Sequence, residues 1–223
     1  MNPVNVSDIV LRRLPKYIHF LRNLKKSGQV YTSATEISKA LSIHHTQVRK
    51  DLALTGLRGT PKVGHKVNDL IVALRGFLNW DNMSDAFLVG AGNMGKALLN
   101  YHGFDRSGIK IVAAFDVDPE LVGNEVNEIK VFPLAKLPNL ANRLHAHIGI
   151  LCVPAHKAQK TAEMMVENGI VGIWNFTPVA LNLREDVVVE NVDIYPSLAV
   201  LSHKLADNSN HEIDIKVTKM EEK

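Results

Sequence analysis

The 223 residues predict an α/β protein: a basic winged helix-turn-helix, then a parallel sheet with helices on both faces, then one further apolar helix. Three observations carry that prediction. Residues 1–80 hold 13 Lys and Arg against 4 Asp and Glu, a net charge of +9, whereas residues 81–223 carry −6. From Ala86 onward, strand-like and helix-like runs alternate with short connections, the pattern of a parallel sheet. One apolar run, Ala86 to Val89, ends in Gly90-Ala91-Gly92-Asn93-Met94-Gly95, a G-x-G-x-x-G spacing followed at once by a helical pattern.

The bulk properties set bounds. At 46% hydrophobic residues the chain can bury a core in one or two domains. It has no run of about 18 apolar residues, so no membrane span is expected. The first residues lack the charged and apolar regions of a secretory leader. Cys152 is the single cysteine and lies in an apolar run, so no internal disulfide is possible and a cytoplasmic protein is expected. His44 and His45 are adjacent and cannot share a helix face as i, i+4 ligands do, so no metal is assigned.

Ser7 to Lys26 has apolar residues at three-to-four spacing and reads as a helix. Pro15 requires either a kink or a start nearer Leu14. Ser33-Ala34-Thr35-Glu36 is a capping box opening a short helix to Leu41. After a break at Ser42-Ile43-His44, residues 45–52 resume the helical pattern. Two short helices across a tight turn make a helix-turn-helix, with His45, Thr46, Gln47, Arg49 and Lys50 on the outer face of its second helix. Gln47 and Arg49 suit base edges, and Lys50 suits phosphates. Residues 56–67 carry three glycines, a proline and three cations without helical period, a hairpin-like wing. There Arg58, Lys62, His65 and Lys66 are candidate DNA contacts. Asn68 is expected to cap the next helix. A solvated lysine-rich surface is the alternative, but clustering of the cations favours double-stranded DNA.

Residues 80–85 read as a linker into the second domain. In the glycine turn, Gly90 makes the bend, Gly92 admits a pyrophosphate and Gly95 lets the helix approach the sheet. The N–H groups of the helix that starts near Asn93 face the phosphates. A second strand pattern, Lys110 to Asp116, ends in a carboxylate about 20 residues beyond, where a ribose-binding acid is expected. Asp116 can accept from both adenosine ribose hydroxyls and would repel a 2′-phosphate, which favours NADH and NAD+ over their phosphorylated forms. The alternative is a turn that only ends the strand. Ligands in such Rossmann-like sheets lie at the carboxyl ends of the strands, which adds Val117, Val153, Pro154, Asn175, Phe176, Thr177 and Pro178 as candidates. Domains are therefore expected at 1–80, 81–193 and 194–206. The last is an apolar helix whose stripe needs a home on its own domain or a second subunit. Residues 207–223 are expected to be a disordered tail.

In this order, along residues 7–206, these motifs resemble the Rex family of redox-sensing transcriptional repressors. The matching stretches are Gln47 to Leu52, Gly90 to Gly95 with Ala97 to Tyr101, and Phe115 to Pro119. Val153 to Ala155, Asn175 to Val179 and Val189 to Asp193 match as well. The resemblance implies a homodimer with its C-terminal helix exchanged, bound to an inverted-repeat operator and released when NADH binds. It also implies that Tyr101 lies near the nicotinamide and that Asp193 joins polar contacts across the dimer. Two positions depart from the family. His19 stands where an arginine usually pairs with that aspartate, and Gly64-His65 stands where Gly-Tyr is usual. A neutral histidine holds no ion pair, so the His19–Asp193 switch is expected to be pH-sensitive.

An NAD-dependent oxidoreductase would need an acid or base beside the ring. The strand ends offer none, although His156 and Lys157 are close in sequence, and little chain remains for a substrate domain. A nucleotide-binding regulator without DNA binding is opposed by Arg49, Lys50 and the wing cations. A regulator, and no enzyme, is the reading favoured.

Overall fold

The computed structural model describes residues 6–206, and the tail expected at 207–223 lies outside the described residues. The chain forms two compact units: residues up to Ser84 with His102–Lys110, and Asp85–Tyr101 with Ile111 onward. The segment 102–110 thus packs with the first unit, although the sequence puts it inside the second domain. Hydrogen bonds explain the difference. The Arg106 carbonyl accepts from Arg22 Nη2 at 3.4 Å and Arg75 Nη1 at 2.7 Å, and the Gly108 carbonyl accepts the Ser84 N–H at 2.8 Å.

In the first unit, helices α1 (Asp8–Leu11) and α2 (Leu14–Lys26) are separate. Pro15 sits in the first turn of α2, where its missing N–H costs nothing, so the helix restarts at Leu14. Helix α3 (Ala34–Leu41) begins at Ser33, whose hydroxyl accepts the Glu36 N–H at 3.1 Å. Half of the capping box forms. The Glu36 carboxylate instead accepts from Gln29 Nε2 and Thr32 Oγ1, both at 2.8 Å. Helix α4 (His45–Ala53) follows a left-handed Ser42. Strand β1 (Tyr31–Thr32) pairs antiparallel with β2 (His65–Lys66), so the wing strand leans on the chain ahead of α3. The wing tip turns at Thr60–Gly64, with Lys62 and Gly64 at positive φ. Helix α5 (Val67–Phe77) starts one residue before Asn68. Asn68 caps nothing there, because its side-chain oxygen accepts from Lys25 Nζ at 2.6 Å.

Leu14, Tyr17, Leu21, Ile37, Val48, Leu52, Leu70 and Leu74 fill the core of this unit. One charge is buried among them. The Asp51 side chain is 1% exposed and accepts Arg13 Nε and Nη2 at 2.8 and 3.0 Å, the Tyr17 hydroxyl at 2.6 Å and Gln47 Nε2 at 2.7 Å. Burial alone would raise the Asp51 carboxyl, but these hydrogen bonds outweigh it and hold the group below the usual carboxylate range.

The second unit is a seven-stranded sheet. Its strands are β3 (Ser84–Val89), β4 (Ile109–Asp116), β5 (Glu125–Val126), β6 (Ile129–Pro133), β7 (Ile148–Leu151), β8 (Gly172–Asn175) and β9 (Val188–Asn191). They lie in the order β5-β6-β4-β3-β7-β8-β9. The pairs β3–β7, β4–β6, β7–β8 and β8–β9 run parallel, and β5 pairs antiparallel as an edge. Helices α6 (Asn93–Leu99), α7 (Leu137–Leu144) and α8 (Ala155–Glu167) connect the strands. Phe87 and Phe115 meet edge to face at 5.1 Å in a core completed by Leu137, Leu151, Ala162 and Met165. A last helix, α9, spans residues 195–206. Its flank stays open: Ile194, Leu198 and Leu201 are 68, 56 and 55% exposed.

The buried carboxylate generates a stability prediction. Asp51→Ala leaves the Arg13 guanidinium and Tyr17 hydroxyl facing a void, an expected loss of about 3–5 kcal/mol, read as a lower urea midpoint by circular dichroism. Because the folded pKa is depressed, the native contribution is complete above the unfolded carboxylate pKa of about 3.9 and disappears as pH falls through the lower folded value. Asp51→Asn should lack that acid-side slope, and an unchanged slope would assign it to other carboxylates.

Candidate functional site

At the middle of the sheet the strand order reverses. The chain passes from β3 outward to β4 on one side and from β7 to β8 on the other, which leaves a crevice at the carboxyl ends of β3 and β7. A cleft of about 1120 Å³ lies there. Of the candidates from sequence, Gly90, Gly92, Met94, Asp116, Val117, Val153, Pro154 and Phe176 line it.

The glycine turn is explained by space. Gly90 has φ +98°, and a Cβ there would come within 2.5 Å of the Cys152 carbonyl oxygen. A Cβ on Gly95 would collide with the Gly90 carbonyl oxygen, so α6 could not approach the sheet. A Cβ on Gly92 would meet nothing within 4 Å. The turn therefore offers open room beside its backbone, which a pyrophosphate can use.

Asp116 closes the turn from β4. Its Oδ2 accepts the Ala91 N–H at 2.6 Å, and Oδ1 accepts the N–H groups of Val117 and Asp118 at 2.7 and 3.0 Å. Both lone pairs of Oδ1 are used, and one remains on Oδ2. As it stands, the carboxylate can accept one ribose hydroxyl, a correction to the expectation of two.

Seven candidates do not line the cleft: Ala91, Asn93, Gly95, Tyr101, Asn175, Thr177 and Pro178. Ala91 and Gly95 are buried beneath the turn, and Asn93 is exposed at the start of α6. Tyr101 is 60% exposed just past α6, and Pro178 is exposed as well. Asn175 is 0% exposed. Its Nδ2 donates to Val179 O and Asn191 Oδ1 at 2.9 and 2.8 Å, while its Oδ1 accepts the Thr177 N–H and hydroxyl at 3.0 and 2.7 Å. Every polar position on that amide is taken, so Asn175 is a wall of the fold and no ligand contact. Thr177 is committed to the same group.

The sequence reading missed one wall of the cleft. Lys157, Lys160, Thr161 and Met164 line it from α8, with Leu121 and Leu134 from other connections. Their signal was present. Positions 157, 160, 161 and 164 share a face of the helix that leaves the switch point. Cys152 also lines the cleft, and burial pushes its thiol up to about 12.

In the first unit, α4 turns Val48, Asp51 and Leu52 inward and leaves His45, Thr46, Arg49 and Lys50 exposed. Thr46 Oγ1 also hydrogen-bonds His44 Nδ1 at 2.7 Å. Gln47 is half-buried with one of its two amide hydrogens committed to Asp51, which leaves the second hydrogen and the carbonyl oxygen for the expected base contact. Arg58, Lys62 and Lys66 are exposed along the wing. His65 is half-buried at the wing base. A Cβ on Gly59 would come within 2.9 Å of its Nε2, its Nδ1 is buried without a hydrogen-bond partner, and burial lowers its pKa. That ring supports the wing and does not reach out from it.

His19 is exposed on α2. Asp193 is exposed in the second unit, and its Oδ1 accepts the Tyr195 N–H at 2.8 Å, which caps α9. Among the described residues, no three His, Cys, Asp or Glu side chains could hold a metal ion, and no helix is long and apolar enough to cross a membrane.

Comparison with known proteins covers both units. The family model described as "CoA binding domain" matches residues 81–179, and that described as "Putative DNA-binding protein N-terminus" matches residues 5–53. The redox-sensing transcriptional repressor Rex of Bacteroides fragilis is 42% identical over 203 residues, 91% of this chain and 92% of its own. That of Caldicellulosiruptor bescii is 39% identical over 90% of this chain and 93% of its own. Among solved structures, RSP in complex with β-NAD+ and operator DNA superimposes with a TM-score of 0.85 at 34% identity, covering 94% of this chain and 96% of its own. RSP in complex with β-NADH gives 0.85 at 34% identity, over 94% and 98%. RSP is described as a Rex-family repressor.

The cleft generates one prediction by itself. With its pKa near 12, Cys152 at pH 8 is thiolate in about one molecule in 10⁴, so iodoacetamide should leave the folded protein unlabelled over an hour and label it fully in guanidinium. Rapid labelling of the native protein would make the thiol itself a redox-reactive group.

Proposed function

Because this chain belongs to the Rex family of redox-sensing transcriptional repressors, we propose that it binds operator DNA through its first unit and releases it when NADH enters the cleft of its second. The observation that carries the reading is a dinucleotide-sized cleft at the strand-order switch point, in one chain with an exposed cationic α4 and wing. The protein is a regulator and not an oxidoreductase, and binding to operator DNA implies work in the cytoplasm.

The cleft residues fit NAD(H). Gly92 leaves space at the turn, Asp116 Oδ2 keeps one acceptor position for a ribose hydroxyl, and Val153, Pro154 and Phe176 give an apolar surface for a flat ring. The bound dinucleotide supplies a ring whose charge and planarity change on reduction. The glycine turn and Asp116 lie away from that change and hold both redox forms alike. Discrimination therefore falls to the groups around the ring, for which Pro154, Phe176 and Tyr101 are the candidates.

On the DNA side, Arg49 reads base edges, while Lys50, Arg58, Lys62 and Lys66 neutralise phosphates. His45 and Thr46 sit at the start of α4, where base edges come within reach. The two tasks fall to the two compact units, with segment 102–110 belonging to the first. Helix α9 is given to a second subunit, which covers its exposed Leu198 and Leu201 and makes a homodimer. Two recognition helices set about 34 Å apart, or a multiple, then meet an inverted repeat. His19 and Asp193 are the proposed switch pair in that dimer.

A gel shift with and without NADH is the deciding experiment, and operator binding indifferent to NADH would end the proposal. Asp116→Ala should weaken NADH and NAD+ together, each by about tenfold, as loss of a hydrogen bond to a charged group predicts. A change confined to one form would place discrimination at the ribose. Arg49→Ala should cost about 5- to 100-fold in operator affinity and relax base preference. Lys62→Ala should weaken all sequences alike and lower the salt slope by about 1.

A further inference from the structure

Asn175 stands where two structures meet. At its C-terminal side Phe176 lines the cleft and packs edge to face on Trp174 at 4.8 Å. Across the sheet its register partner is Asn191, the last residue of β9, two residues before Asp193 caps α9. The bond from Asn175 Nδ2 to Asn191 Oδ1 is 2.8 Å, and the Asn175 carbonyl accepts the Val192 N–H at 2.9 Å. Its other amide hydrogen and its Oδ1 hold Val179 and Thr177, the chain just beyond Phe176.

We infer that Asn175 is a positioning residue that joins the cleft wall at Phe176 to the root of α9, so that the state of the cleft is passed to the C-terminal helix. A buried amide with all four of its positions satisfied cannot turn without breaking several bonds at once, so its partners move with it. Phe176 cannot shift against Thr177 and Val179 without pulling on Asn175, and Asn175 cannot shift without pulling on Asn191 and Val192. From Val192 to the capped start of α9 is three residues. The path is short, continuous and confined to one unit. Asn191 is its accessible end: the residue is exposed, lines no part of the cleft, and contributes one acceptor.

The inference rests on the NADH-sensing reading above, and the test separates the two. In the full-length protein, the operator Kd at saturating NADH is divided by the Kd without it, and NADH affinity of the free protein is measured by calorimetry. For wild type this ratio should be large, and a ratio near one overturns the sensing reading and the inference with it. Asn191→Ala should lower the ratio at least tenfold while NADH affinity and NADH-free operator affinity each stay within threefold. Asn191→Asp, which keeps the acceptor, should hold the ratio within threefold of wild type. A merely structural role would lower both affinities and leave the ratio alone. An unchanged ratio in Asn191→Ala overturns the inference, as does a loss of NADH affinity that matches the loss of release, or failure of Asn191→Asp to rescue.

Discussion

The reversal of strand order between β3 and β7 is the constraint on which the second unit depends. The chain steps from β3 to β4 on one side and from β7 to β8 on the other, and the right-handed crossovers general to such sheets put the two connecting helices on opposite faces. No connection covers the carboxyl ends of the central pair, so a crevice is a topological consequence of the chain path. The glycines follow from it. The chain must leave β3, pass under the Cys152 carbonyl and turn into α6 within three residues, which leaves no volume for a Cβ at Gly90 or Gly95. Asp116 then fastens the turn from the next strand by accepting the Ala91 N–H.

Each unit has a buried polar side chain that makes four hydrogen bonds. Asp51 accepts four hydrogen bonds beneath α4, and Asn175 makes four beside the cleft. An unmet polar group in such a place would be costly, whereas a fully met one fixes the direction of every partner. Asp51 thereby sets the roll of α4: with Gln47 drawn inward, Arg49 and Lys50 face out.

Much of this was legible in the order of residues. The glycine spacing, the carboxylate after the second strand, the alternation of strands and helices and the two short helices of the first unit are local patterns, and local geometry follows from them. What escaped depends on partners distant in sequence. Gln47 suits a base edge by residue type, yet Asp51 holds one of its two amide hydrogens and draws the side chain inward. Asn175 sits in a ligand-like position at a strand end until Val179, Thr177 and Asn191 saturate it. Glu36 satisfies the capping pattern, yet Gln29 and Thr32 hold its carboxylate. Segment 102–110 belongs by sequence to the sheet domain, but the arginines of α2 and α5 hold its backbone to the first unit.

The placement of Asn175 bears on how a redox ratio can be read at all. A ligand moves a two-state balance only by its preference for one state, and a swing from 1:99 to 99:1 needs about a 10⁴-fold preference. Under the proposed function, NADH and NAD+ share everything that the glycine turn and Asp116 would grip, so those contacts would add affinity without adding preference. The preference has to arise at the ring and reach whatever holds the subunits together. Of the apolar residues lining the cleft, Val153 and Pro154 lead into α8, which is buried along one face and packed on the sheet. Phe176 leads instead to a residue whose amide and carbonyl are bonded to the strand end that precedes α9. Phe176 and the root of α9 are therefore joined through one saturated side chain, Asn175.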